Sequence, residues 1–102
     1  MTMPIFLHIE ATPNPNQQDS LQAYLSQAPS ILKQHGGVPI ATYDVEAALD
    51  GKDAPAIFIV VSFPNREAIS AFFDDPSYLA IIPLRDRGFS HIRFYVTNER
   101  IN

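Results

Sequence analysis

The chain has 102 residues, 46% of them hydrophobic, a net charge of −4 and no cysteine. That length is one domain, residues 1–102, with a thin core, and that apolar fraction argues against disorder. The seven Lys and Arg form no basic stripe, which excludes a phosphate-neutralising nucleic-acid face; the missing thiols exclude disulfides, thiolate catalysis and cysteine metal sites.

The first strand is predicted over Met3 to Ala11, where Ile5, Leu7 and Ile9 alternate with Phe6, His8 and Glu10. This segment has neither the charged start and apolar run of a signal peptide nor the length of a membrane span. A cytoplasmic location with no membrane partner is expected. Thr12 to Gln17 reads as a loop by its prolines and asparagines.

From Gln17 to His35 the apolar residues Leu21, Tyr24, Leu25, Ala28 and Leu32 recur at helical spacing. Pro29 removes a backbone donor from that helix, which predicts a kink or restart near Ala28. Gly36-Gly37 is its stop, since a helix end often needs the left-handed conformation. His35 is expected to cap the same end.

Val38 to Ala47 is a second, weaker strand, and Leu49 to Pro55 a turn. Ala56 to Phe63, AIFIVVSF, is the strongest strand signal, apolar on both faces as in a central strand covered twice. Asn65 is suited to N-cap the next helix, which buries Ile69, Phe72 and Phe73. Asp75 is then the cap and Pro76 the first residue of a short helical piece ending near Leu84, with Pro83 limiting its length. Phe89 to Thr97 is the last strand.

The order β-α-β-β-α-β is α+β and ferredoxin-like, an antiparallel four-stranded sheet with both helices on one face. The first and third strands are apolar on both sides, so the second face needs a cover. A second copy of the same sheet, related by a two-fold axis, supplies one: a homodimer through the open sheet face.

Several segments are similar to a known family: YLSQAPSILKQHGG (Tyr24 to Gly37), LDG (Leu49 to Gly51), IVVSFPNREAISAFFDDPSYLAIIPLR (Ile59 to Arg85) and SHIRFYV (Ser90 to Val96). They resemble the small bacterial proteins grouped as domain of unknown function 1330, in the dimeric α+β barrel superfamily. The resemblance implies a homodimeric α+β barrel in which two four-stranded sheets pack face to face. It implies no reaction. Superfamily relatives include cofactor-free monooxygenases, lactone isomerases and haem enzymes, so membership does not select a chemistry.

Candidate chemistry rests on few groups. His8 and Glu10 point the same way on the first strand, as do His91, Arg93 and Tyr95 on the last, and in this fold those strands are neighbours. An imidazole beside a carboxylate is a base in prospect, either His8 or His91, with Tyr or Arg polarising a substrate oxygen. The alternative is a polar patch at a dimer interface or rim.

Tyr24, Tyr43 and Tyr78 are candidates to line a pocket between helices and sheet, although aromatics at helical spacing, Tyr24 above all, are commonly core. Arg85 and Arg93 are the candidates to hold an anion such as a carboxylate. No metal spacing, phosphate loop or nucleophile motif is present, so no metal or cofactor is expected. The expected function is binding of a small organic molecule in a pocket of each subunit; the alternatives are a cofactor-free monooxygenase or isomerase, or a purely structural interaction module.

Overall fold

The computed structural model describes residues 4–100. The chain runs β1 (Ile5–Pro13), α1 (Gln18–Leu25), α2 (Ala28–Gln34), β2 (Val38–Asp44), β3 (Ile57–Phe63), α3 (Arg66–Asp74), α4 (Pro76–Leu79), α5 (Ile82–Gly88) and β4 (Phe89–Asn98). The strands form one sheet in the order β2-β3-β1-β4, each neighbouring pair antiparallel. This is the ferredoxin-like arrangement expected from the element order. Met3, the predicted start of the first strand, lies outside the described residues.

Strand register decides which side chains meet. Leu7 pairs with Val61 and Val96, and Ile9 with Ile59 and Phe94. These residues project to the helical face. There, buried Leu7, Val61 and Phe63 pack with Tyr24, Ala28 and Ile31 of α1–α2, Ile69 and Phe72 of α3, and Tyr78 and Ile81. The molecule is only 16 Å deep along its shortest axis, which leaves room for the sheet and one helical layer.

The predicted break in the first helix occurs at Ser26 and Gln27. Both side chains bond the Ala23 carbonyl, Ser26 Oγ at 2.8 Å and Gln27 Nε2 at 3.0 Å. Pro29 then lies in the first turn of α2, where a missing N–H costs nothing. At the far end Gly36 takes φ +84°. Its N–H bonds the Lys33 carbonyl at 3.0 Å and that of Gly37 bonds Leu32 at 2.9 Å, the paired closure of a Schellman motif.

Asn65 caps α3 as expected, its Oδ1 accepting from the Ala68 N–H at 2.8 Å. Asp75 caps α4, Oδ1 accepting from Ser77 N–H at 2.8 Å, with Pro76 the first helical residue. Two expectations need correction. The second strand stops at Asp44, short of Ala47. The helical piece that opens at Pro76 ends at Leu79, short of the expected Leu84. Pro83 instead opens α5, which carries Arg85 and Arg87 on to Gly88. A proline is a first-turn residue at least as readily as a terminator, and spacing does not separate the two.

Candidate functional site

A cavity of about 220 Å³ lies between the sheet and the α1–α2 pair. Leu7, Ile59 and Val61 form its floor from β1 and β3, and Ala28 and Phe72 close its inner side. Leu25, Pro29, Pro39 and Thr42 also line it and are all solvent-exposed, so they mark its mouth. The site follows from the break in the first helix. Ala28 is small, Pro29 starts a new axis, and β2 reaches past the helical layer without being covered by it. The walls are almost wholly apolar, as in ligand pockets generally.

Tyr24 is the one tyrosine among the described residues that line the cavity. Its Oη lies 2.9 Å from Tyr78 Oη, and Arg85 Nη1 donates to Tyr78 Oη at 3.2 Å. The chain Arg85–Tyr78–Tyr24 therefore joins α5, α4 and α1. Tyr78 is fully buried, at 0% exposure, packed on Phe72 and Phe73 with centroids 4.4 Å and 5.5 Å away. The Arg85 guanidinium carbon lies 5.9 Å from the Tyr78 ring centre and 5.5 Å from that of Phe94, and Nε donates to Asp86 at 3.2 Å.

Burial, followed by the adjacent Tyr78, pushes the Tyr24 hydroxyl far above the ordinary phenol range. Tyr24 is thus a neutral donor and acceptor, not a base. Burial works against the Arg85 charge, but the bonds to Tyr78 and Asp86 outweigh it and raise its pKa above the usual guanidinium value.

The open sheet face carries the remaining candidates. Register sets out rows across it: Ala41, Val60, His8 and Tyr95; then Tyr43, Phe58, Glu10 and Arg93; then Thr12 and His91. His8, Glu10, His91, Arg93 and Tyr95 do share that face. His91 Nε2 lies 3.9 Å from Glu10 Oε2, beyond hydrogen-bond reach, and Tyr95 Oη donates to the same oxygen at a long 3.4 Å. The Arg93 guanidinium sits 5.0 Å from the Tyr95 ring centre. Glu10, His91 and Arg93, with Asp53 and Ser90, line a polar cleft of about 350 Å³.

Two placements correct the reading of the tyrosines and arginines. Tyr43 faces the open side, 59% exposed; its neighbour Thr42 is the residue at the cavity. Period-two alternation fixes relative direction along a strand but not which side the helices take. Arg85 does not present a free cation to the cavity, because Tyr78 and Asp86 occupy it. Tyr24, read from its spacing as core, is both buried and at the cavity. Its proximity to Tyr78, 54 residues away, had no local signature.

His35 is the C-cap residue of α2, as its position suggested. Its side chain does more than that, because Nε2 pairs with Asp75 Oδ2 at 2.7 Å. Among the described residues, no three His, Asp or Glu side chains converge as metal ligands would, and no helix is long and apolar enough to cross a membrane.

Comparison of the fold with solved structures places these features in context. A protein of unknown function from Rhodopseudomonas palustris superposes with a TM-score of 0.81 at 15% identity, over 100% of this chain and 86% of that one. A dimeric ferredoxin-like protein of unknown function from Thermobifida fusca gives 0.61 at 14% identity, covering 97% and 93%. A candidate antibiotic biosynthesis monooxygenase from Nitrosomonas europaea gives 0.67 at 9% identity, covering 97% and 92%. At such identities the likeness is one of fold. No curated protein matches the chain. The profile of the Domain of unknown function (DUF1330) matches residues 8–97, the span from His8 in β1 through β4, and the chain belongs to that family.

Proposed function

We propose that the protein binds a small, mainly apolar organic molecule in the cavity of each subunit of a homodimer. The observation that carries this reading is the cavity of about 220 Å³, lined by apolar walls and open to solvent at its mouth. Water in a cleft with such walls finds few hydrogen-bond partners, so its apolar surface is poorly solvated. A hydrocarbon body entering it exchanges hydration for dispersion contacts. Among the described residues no cation lines the cavity to meet a carboxylate, so the ligand is read as neutral.

The homodimer is supported by the open face, where Phe6, Phe58, Val60 and Tyr95 are only half buried and Tyr43 and Val38 are 59% and 57% exposed. A sheet face that leaves this many large apolar side chains in solvent, beside the polar row of Glu10 and Arg93, suits a protein partner. The dimeric Thermobifida fusca protein shares this fold. Acid–base chemistry on that face has less support, since the His91–Glu10 contact is 3.9 Å long and His8 lies a row beyond Glu10.

A thermal-shift screen of neutral aromatic and alicyclic compounds tests the cavity reading. A ligand at 100 times its Kd stabilises by about 2.7 kcal/mol. The shift is expected to vanish in Thr42→Trp, which obstructs the mouth from an exposed position. A panel that moves neither protein, or both equally, removes the cavity as the site.

A further inference from the structure

The hydrogen bonds behind the cavity have a direction. Arg85 has donors only, so it donates to Tyr78 Oη. Tyr78 has a single hydroxyl proton and 0% exposure. Among the described residues, the acceptor within reach of that proton is Tyr24 Oη at 2.9 Å. Either direction leaves one phenol proton without a partner, and the cost is greater on Tyr78, which has no exposure, than on Tyr24, which lines the open cavity. The favoured order is Arg85 to Tyr78 to Tyr24. It leaves the Tyr24 proton as the unspent donor, on a residue that lines the cavity.

Each bond in such a chain strengthens the next. A phenol that accepts from a guanidinium becomes a better donor, and the phenol that accepts from it gains in turn. Positive charge held on α5 is thereby expressed at Tyr24 as donor strength, with no ion entering the cavity. The raised Tyr24 pKa keeps that proton in place.

We propose, building on the cavity reading, that Tyr24 is the recognition donor for a carbonyl oxygen on an otherwise apolar ligand, with Tyr78 and Arg85 as positioning residues. The ligand class is a neutral ketone, ester or quinone-like molecule.

The test uses two isosteric probes, acetophenone and α-methylstyrene, which differ in a carbonyl oxygen against a methylene. A cavity of roughly 150 Å³ accommodates benzene, so 220 Å³ suffices for either probe. Binding is followed by amide shift changes at Val61, Leu32 and Phe72, on the full-length wild type, Tyr24→Phe and Tyr78→Phe. Tyr24→Phe is expected to weaken acetophenone about fivefold, the value of one net hydrogen bond, and to leave α-methylstyrene unchanged. That unchanged affinity also shows the cavity intact. The carbonyl ¹³C resonance of bound labelled acetophenone is expected downfield of its position in hexane in wild type. It should shift back partly in Tyr78→Phe, which keeps the Tyr24 hydroxyl but severs it from Arg85.

Equal loss of both probes in Tyr24→Phe, no loss of either, or a hexane-like carbonyl resonance in wild type overturns the donor role while leaving the cavity reading standing. A wild-type resonance that Tyr78→Phe does not move overturns the relay. Failure of both probes to perturb the cavity amides of the wild type overturns the cavity reading, and this proposal with it.

Discussion

Asp75 uses its two carboxylate oxygens for different ends. Oδ1 caps α4 through the Ser77 N–H, and Oδ2 meets His35 Nε2 at 2.7 Å. The His35 bond first, then the Ser77 N–H, holds the Asp75 carboxyl below its ordinary value of 3.8. A depressed folded-state pKa means the unfolded chain binds the proton more tightly. The stabilisation is therefore complete above about pH 3.8 and disappears as pH falls through the lowered value. Asp75→Asn keeps a capping oxygen but removes the charge. Its Tm is expected to lie below wild type near pH 6 and to converge with it toward pH 3; parallel curves over that range would dissociate the charge from stability.

At the scale of elements, Gly88 sets how α1 meets α5. A Cβ added there would lie 2.7 Å from Leu21 Cα and 2.8 Å from Leu21 N, both backbone atoms that cannot rotate away. Alanine is the better helix former by up to about 1 kcal/mol, whereas forced overpacking costs about 1–3 kcal/mol. The clash decides the sign. Gly88→Ala is expected to lower stability by about 1 kcal/mol or more in urea denaturation, equivalent to a Tm loss of roughly 4–8 °C. α1 carries Tyr24 and α5 carries Arg85, so a shifted α1–α5 contact also lengthens the path between them. A gain in stability would mean that the helices separate at little cost.

At the scale of the whole molecule, the one-sided helical layer is the feature on which the proposed homodimer rests. Val60 stands in a central strand beside His8, half buried, on the face the helices leave open. Light scattering after size exclusion is expected to give about twice the chain mass of 11.4 kDa. Val60→Arg sets a charge into the middle of that face and is expected to yield a folded monomer. Wild type running as a monomer at micromolar concentration would refute the dimer, as would Val60→Arg remaining dimeric.

The sequence by itself determined the element order, the ferredoxin-like sheet, the caps at Asn65 and Asp75, and the stop at Gly36-Gly37. Each depends on a period of two or 3.6, or on the conformational preference of one residue, and those act over a few neighbours. Strand adjacency and alternation made a face shared by His8, Glu10 and His91 possible, and the β1–β4 register decided it. Tertiary structure alone decided that Thr42 rather than Tyr43 meets the cavity, that Pro83 opens a helix, that His35 pairs with Asp75, and that Tyr24 is joined through Tyr78 to Arg85. These are contacts between segments 40 and 54 residues apart, choices between two faces of one strand, or, for Pro83, a choice between ending one helix and starting another. Their geometry is fixed only when the helical layer settles on the sheet, because no local preference carries that distance or that side.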